Sequence, residues 1–373
     1  MVKLLYLLDT TGTGAGGGAE RLAVNVLGSL DESVYDRHIC FTRPSRGALY
    51  DQVRRSGVKV FHLDRRSRYD VLPWLRLVRF IRREGIDIIH SHKHGSNFWG
   101  AVLSFFVRRP VLVAHEHSWS YSGNRVRLLT DRFLIGRRAA RMIAVSDADR
   151  EAMVEVERID PGKIVLIPNG IPDESPEDVD RVRGELGLPA GTPLVTCIGV
   201  RAVKRLDLVV RALALVREEQ PEARLVAIGG HRVPDGLREL VAELGLEERV
   251  HLVGERHDIA RLLAATDVAV LASDREGMPL SILEYMAAGC AIVATRVGGI
   301  PAMLRDGVDG VLVAPGDEHE LANAVASLLR DPQRRRELGA SARRRQSELY
   351  SLAAVVRRTD DLYRELLEGR RAS

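Results

Sequence analysis

Aromatic residues make up only 5% of this chain, and cysteine (three residues) and methionine (six) are scarce too. Lysine is also rare: it supplies five of the 55 basic residues, and arginine the rest. Long apolar runs are missing. The longest, residues 98–107, is about half of the roughly 20 residues that a helical bilayer crossing needs. Cys40, Cys197 and Cys290 each sit in a strand-like run with no partner spacing, so no disulfide framework is expected. They read as buried, reduced thiols of a cytoplasmic protein. The first nine residues carry one lysine and a short apolar run that ends in Asp9, which does not read as a secretory signal. What remains is 373 residues, 45% hydrophobic and 28% charged. That composition excludes disorder and collagen and, at about 100–200 residues per domain, predicts two globular domains.

Nor is there one continuous basic footprint. Residues 1–170 hold 27 Lys and Arg against 18 Asp and Glu, residues 171–329 hold 16 against 26, and residues 330–373 hold 12 against 7. An acidic middle between basic ends argues against nucleic acid as a partner. It leaves room for a basic N-terminal half that faces anionic phosphates or an anionic membrane surface. A solvated, Arg-rich surface is the plainer alternative.

Short apolar runs alternate with amphipathic stretches from end to end. Strand-like runs fall at residues 2–8, 38–42, 58–63, 86–90, 111–114, 142–145 and 164–167, with helical patterns such as 19–30 and 72–83 between them. Pro168-Asn169-Gly170-Ile171-Pro172 and the acidic stretch 173–178 form the best linker. The alternation then restarts, with runs at 194–199, 224–229, 250–253, 268–272, 291–294 and 310–313, and ends in a strandless tail rich in Arg and Leu. Such alternation calls for parallel sheets covered on both faces. The architecture is α/β: two doubly wound domains, residues 1–170 and 171–350, and a C-terminal helix, 351–373. Ligands of such sheets bind at the carboxyl ends of the strands, so two facing sheets would enclose a cleft.

Chemistry is therefore sought just after strands. The first is followed by Gly12-Thr13-Gly14-Ala15-Gly16-Gly17-Gly18-Ala19-Glu20, a loop that lets backbone N–H groups approach a phosphate at a helix N-terminus. A tight strand-to-helix turn is the structural alternative. His90, His92 and His94 follow one strand, and His115 and His117 the next. They line a pocket for a polar ligand; a metal centre would need further Asp, Glu or Cys ligands at convincing spacing, which are lacking. Arg201, Lys204 and Arg205 follow Gly199 and suit a pyrophosphate. Glu276 precedes a Gly and a Pro that suit a turn into a helix, and Glu284 lies eight residues on, about two turns into it. Backbone N–H groups over Gly277, Met278, Pro279 and Leu280 would face an anion. A nucleotide sugar, with hydroxyls at its ends and phosphates between, suits this set. As paired catalytic carboxylates the two glutamates are badly placed, because one element cannot flank a bond.

The run Glu276-Gly277-Met278-Pro279-Leu280-Ser281-Ile282-Leu283-Glu284-Tyr285-Met286-Ala287-Ala288-Gly289 resembles the E-x7-E motif of the retaining glycosyltransferases of family 4, which have the GT-B fold. Gly17-Gly18-Ala19-Glu20, Asp87-Ile88-Ile89-His90-Ser91-His92, Ile167-Pro168-Asn169-Gly170 and Val297-Gly298-Gly299-Ile300-Pro301 extend the likeness along the chain. The resemblance implies a C-terminal domain that binds a UDP- or GDP-linked sugar, an N-terminal domain that binds a glycan or lipid-linked acceptor, and a final helix that returns to the N-terminal domain. It further implies that Glu284 takes the ribose, that Glu276 takes hydroxyls of the transferred sugar, and that Val253 and Gly254 lie at the base. Gly17 and Gly18 would lie near the diphosphate, with His117 facing the donor sugar and His90, His92 and His115 on the acceptor side. Such enzymes need no bound metal and no cofactor beyond the donor. One departure stands out: aligned on Lys204, the position where the family places a phosphate-binding Arg falls on Gly199, so Arg201, or Lys204 with Arg205, would supply that charge. A nucleotide-sugar epimerase of the same fold and a non-catalytic nucleotide-sugar-binding protein are the competing readings. The stretch 72–83, with Arg76, Arg79, Arg82 and Arg83 beside Trp74 and Phe80, would rest on a membrane surface or pack on the sheet as an ordinary helix.

Overall fold

The computed structural model describes residues 1–9, 17–44, 47–65, 70–117, 124–172, 179–189, 191–230, 233–256 and 258–372. Gly12 and Gly14 of the glycine-rich loop and the acidic stretch 173–178 lie outside the described residues. The chain divides into two compact units, one of residues 1–170 with 352–373 and one of residues 171–351.

The first unit is built on seven parallel strands: β1 (Val2–Leu8), β2 (Tyr35–Phe41), β3 (Lys59–His62), β4 (Ile88–His92), β5 (Val111–His115), β6 (Arg141–Ala144) and β7 (Ile164–Leu166), in spatial order 3-2-1-4-5-6-7. Both sheet faces are covered, which is why β1 reads as an unbroken apolar run: Leu4 to Leu8 are all 1% exposed or less. The helices Gly18–Ser29 and Leu352–Ala372 pack on one face, on Leu4, Tyr6, Ile88 and Val113. The helices Leu72–Glu84 and Lys93–Phe106 pack on the other, on Leu5, Leu7, Ile89 and Leu112, together with Ile135 and Ala139.

The second unit repeats the plan with β8 (Leu194–Ile198), β9 (Arg224–Ile228), β10 (Val250–Gly254), β11 (Val268–Leu271), β12 (Ala291–Thr295) and β13 (Val311–Val313), in order 10-9-8-11-12-13. All its pairings are parallel. Each sheet reverses its winding once, at β1/β4 and at β8/β11. Loops that leave adjacent strands there diverge to opposite faces and open a crevice at the carboxyl edge. Gly17 and Glu20, at the start of the Gly18–Ser29 helix, meet Lys93, directly after β4, at the first such point, and Gly199 and Glu276 lie at the second. The three cysteines are buried and free.

Candidate functional site

In the second unit, the loop after β8 turns at Gly199, whose φ of +103° is open to glycine alone. A Cβ there would also lie 3.2 Å from the aliphatic stem of Lys204. That close approach lets Lys204 fold back into the sheet edge, where the residue is 6% exposed. Its Nζ donates to Glu276 Oε1 at 2.6 Å, and the same oxygen accepts from Ser273 Oγ at 2.7 Å. The two loops are tied again by Asp274 N–H, which donates to the Val203 carbonyl at 3.0 Å. Lys204 and Glu276, 72 positions apart, thus form one buried ion pair at the switch point. Arg205 turns elsewhere: it pairs with Asp207 at 2.9 Å and Asp274 at 3.1 Å, and hydrogen bonding to Asp207 raises its pKa. Arg201 is exposed, and no carboxylate among the described residues pairs with it.

The Glu276 loop is clamped from the side. Gly298, at φ +51°, lies so close that a Cβ there would fall onto the Glu276 carbonyl oxygen, which also accepts from Gly299 N–H at 3.3 Å. Thr295 Oγ1 donates to the Ser273 carbonyl at 2.7 Å. The Val297-Gly298-Gly299 motif is therefore a brace for Glu276. Next comes the helix Leu280–Ala288, with extended Pro279 at its cap and no side chain bonded to its first turn. Because Pro279 delays the helix start, Glu284 stands four residues after Leu280, little more than one turn in, and not two turns as its spacing from Glu276 suggests. Ser281 Oγ, on that first turn, is buried without a partner. Tyr285 spans the switch point: its hydroxyl accepts from Ile198 N–H at 2.7 Å and donates to the Val270 carbonyl at 3.1 Å. Val253 and Gly254 end β10, two strands out, where Gly254 (φ +68°) accepts from Gly229 N–H at 2.7 Å. Sequence reasoning passed over Ser273, Ser281 and Tyr285; a lone hydroxyl in an otherwise apolar buried run was the available signal.

In the first unit, His90 and His92 lie within β4, and His115 closes β5, so these three are strand residues and do not follow the strands. Pairing of His92 with His115 carries the ladder two residues past the expected end of β4. Strand alternation then puts His90, His92, His115 and His117 on one face, and Ser91 and Glu116 on the other. The four rings form a cluster: His90–His92 centroids are 4.3 Å apart, His115–His117 4.0 Å and His92–His117 5.3 Å. His90 Nδ1 lies 2.5 Å from the Tyr363 hydroxyl of the C-terminal helix, which donates to the Tyr6 hydroxyl at 2.9 Å. His92 Nδ1 lies 3.0 Å from His117 Nε2. Burial holds all four imidazoles neutral, His115 down to about 3 and the others well below their usual range. His90 Nε2, His92 Nε2, both nitrogens of His115 and His117 Nδ1 are buried without a partner. Ligand nitrogens of His90, His92 and His115 come within 4.8 Å of one another. Ligand atoms of His94, Glu116 and Asp131 come equally close to one another, so the structure brings an Asp and a Glu to a histidine that the sequence spacing did not link.

His94 leaves this group and pairs with Asp131 at 2.8 Å. On the opposite face Asn97 Nδ2 donates to Glu116 at 2.7 Å and Asn97 Oδ1 accepts from Ser91 Oγ at 2.7 Å; burial pushes the Glu116 carboxyl up to about 7. Gly17 caps the helix Gly18–Ser29 with ordinary φ; a Cβ there would lie 2.7 Å from Glu20 Oε2, so a larger residue would displace the end of the Glu20 side chain. Glu20 forms an ion pair with Lys93, a non-glycine residue at φ +67° directly after β4. On the Leu72–Glu84 helix Trp74 is buried and stacks on Trp99 at 4.2 Å, while Phe80 packs on Phe61. The aromatic side of this helix thus covers the sheet and does not face outward.

Two doubly wound parallel sheets, each with polar loops at its switch point, make up the GT-B fold. Comparison with known proteins agrees: residues 16–175 match the sequence model of Glycosyltransferase Family 4, and residues 178–345 that of Glycosyl transferases group 1. The chain belongs to glycosyltransferase family 4. It is 35% identical over 202 residues to the D-inositol 3-phosphate glycosyltransferase of Mycobacterium marinum, a match over 52% of this chain that spans only 42% of that relative's length. The enzyme of the same name from Corynebacterium glutamicum is 27% identical, over 96% of this chain and 94% of its own. The fold is like that of Anabaena HepE, solved with UDP-glucose: TM-score 0.85 and 23% identity, over 98% of this chain and 100% of that one.

Proposed function

We propose that this glycosyltransferase moves a sugar from a UDP- or GDP-linked donor to a glycan or lipid-linked acceptor, with retention of anomeric configuration, in polysaccharide or cell-envelope glycan synthesis on the cytoplasmic side. The observation that carries the reading is the Lys204–Glu276 pair beside an uncapped helix N-terminus: cation, carboxylate and backbone N–H groups converge at one switch point. A nucleotide sugar offers each its partner. Glu276 accepts from hydroxyls of the transferred sugar, Glu284 from the ribose, and the amides over Gly277–Leu280 meet sugar and phosphate oxygens. Lys204, with Arg201, faces the diphosphate, whose negative charge grows as the glycosidic bond breaks; that stabilisation is the main catalytic demand. The C1–O bond to the diphosphate breaks, the C1–O bond to the acceptor forms on the same face, and the acceptor hydroxyl's proton passes to the departing phosphate oxygen. No protein nucleophile and no resident metal enter this sequence. HepE was solved with UDP-glucose, which favours a UDP-linked donor here.

The test is nucleotide release from UDP-, GDP- and ADP-sugars without acceptor, by the wild type and by Glu276→Ala. Slow hydrolysis of one donor, lost in the variant, supports the reading and names the donor. Absence of both hydrolysis and calorimetric binding for every donor overturns it.

A further inference from the structure

Exposed large apolar side chains are unevenly distributed. Among the described residues only one of them, Val308, belongs to the second unit; the rest, from Met1 to Leu166, lie in the first. Three of the chain's seven phenylalanines are among them: Phe105 (58% exposed), Phe106 (57%) and Phe133 (47%). All three sit on the outward side of the helical layer that covers one sheet face, the layer that buries Trp74, Leu103, Ile135 and Ala139 inward.

Arginines contact this layer at each phenylalanine, at the ring of Phe105 and of Phe133 and at the backbone of Phe106. The Arg138 guanidinium lies 4.4 Å over the Phe105 ring and donates twice to Ser104, to Oγ and to the carbonyl, each at 2.8 Å. Arg82, from the Leu72–Glu84 helix, donates to the Phe106 carbonyl at 2.8 Å. Arg132 and Arg137 flank the Phe133 ring at 5.0 and 5.5 Å. Arg137 and Arg138 are neighbours in sequence, so the two aromatic sites form one surface. Val126 and Leu129 continue it: with Phe133 they stand at three- and four-residue intervals along a helix with a π turn at Asp131–Ile135, one apolar stripe between arginines. Residues 93–141 contain nine Lys and Arg but only two acids, Glu116 and Asp131, and both are buried at 5% and 3% exposure. The described residues of the stretch therefore present cations and apolar side chains to solvent with no exposed carboxylate of their own; at its margins Arg109 pairs with Asp87 and Arg141 with Glu365.

We propose that this surface, centred on Phe105, Phe106 and Phe133 with Arg82, Arg132 and Arg138, docks on an anionic lipid bilayer. A membrane interface rewards both halves of the pattern: guanidinium groups at the phosphate level and apolar side chains a few ångströms deeper. Charge complementarity selects anionic lipid over an apolar protein partner. The aliphatic Val126 and Leu129 select it over single-stranded nucleic acid, whose bases stack on rings. The inference does not rest on the donor reading, because vesicle binding is measured without donor or acceptor.

The full chain is sedimented with vesicles of phosphatidylcholine containing about a third phosphatidylglycerol, and with pure phosphatidylcholine vesicles, at low and high salt. Binding is expected only to the anionic vesicles and is expected to weaken with salt. Each arginine should be worth about fivefold and each phenylalanine about tenfold in partitioning. The triple variant Phe105→Ser/Phe106→Ser/Phe133→Ser should then lose at least a hundredfold with an unchanged melting temperature, while Phe→Leu at the same positions retains most binding. In a Phe133→Trp variant, brominated lipid chains should quench the added fluorescence. Failure to bind anionic vesicles, equal binding to neutral ones, binding to oligouridine alone, or self-association abolished by the triple variant without vesicle binding would each overturn the proposal.

Discussion

Replacing Lys204 by Met removes one half of the ion pair and leaves Glu276 without its cation. The side chains of the pair are 8% and 12% exposed, so the pair is shielded, though not sealed. Breaking a buried pair from one side costs about 3–5 kcal/mol, because the remaining charge stays desolvated. Ser273 still donates to Glu276 Oε1, which places the expected loss near the lower end, about 3 kcal/mol. Glu276→Gln strands the ammonium in the same way. The double variant Lys204→Met/Glu276→Gln strands neither, so it should cost only about 1 kcal/mol, which against two single losses of about 3 kcal/mol is a coupling of about 5 kcal/mol. The readout is hydrogen exchange in β8 and β11, which isolates this unit from the other. A loss of 3 kcal/mol appears as roughly a hundredfold faster exchange by opening. Nucleotide release should vanish in all three variants, because restored packing does not restore charge at the diphosphate. Additive single effects, or a Lys204→Met loss below about 0.5 kcal/mol, would refute the reasoning: the ammonium would then be a solvated surface charge that touches Glu276 without energetic consequence.

Gly298→Ala should keep the fold and lower kcat/KM about a hundredfold, since a Cβ placed against the Glu276 carbonyl must shift that loop by an ångström or more; wild-type kinetics in a folded variant would show that the brace is dispensable. The histidine cluster makes the first unit acid-sensitive. These folded-state pKa values lie below the ordinary value, so stability is full above about pH 6.5 and is lost as pH falls; by pH 5 His115 alone costs about 2 kcal/mol. Exchange in β4 and β5 measures this, and a His115→Phe variant as acid-sensitive as the wild type would contradict it. Glu116 acts in the opposite sense. Its carboxyl is raised to about 7, so its contribution is full below about pH 4.5 and lost as pH rises through 7. Glu116→Gln keeps an acceptor for Asn97 and should stabilise the protein at pH 8 by about 3 kcal/mol; an unchanged unfolding curve there would count against the burial argument.

The fold class was legible in the sequence because two-sided burial leaves its mark on the parallel strands: β1, β11 and β12 are apolar over nearly their whole length, and amphipathic stretches separate them. The order of strands within each sheet was not legible. Without that order, the loop at Gly199 and the loop at Glu276 are two motifs 77 positions apart; the reversal at β8/β11 is what makes them neighbours. Lys204 could be singled out as a cation at a strand end, but nothing local says that its partner is Glu276 and not a ligand. The misjudged depth of Glu284 has a local cause, since Pro279 delays the helix start and eight residues then span a turn and one helical turn. Strand parity, by contrast, was available and unused: His-x-His in β4 and His-Glu-His at β5 already place the two imidazoles of each segment on one face, with Glu116 on the other, and only the register of β4 on β5 was needed to join the pairs.

The outward surface of the first unit marks where periodicity stops informing. Trp74 and Phe80, beside arginines on an amphipathic helix, have the composition of a membrane-facing stripe and are spent on the sheet and on Trp99 and Phe61. Phe105, Phe106 and Phe133 have the composition of a core stripe and stand in solvent, Phe105 and Phe133 under guanidinium groups. Sequence period says that a helix has an apolar side. It does not say whether a neighbour arrives to cover it, because that depends on how many apolar sides the rest of the layer supplies. Between β4 and β6 the supply exceeds what one sheet face can take: Leu103, Ile135 and Ala139 fill it, and Phe105, Phe106, Leu129 and Phe133 remain outside. A surplus of this kind, flanked by arginines and drawn from a stretch with no exposed carboxylate of its own, is the physical signature that separates a docking surface from an imperfectly covered core.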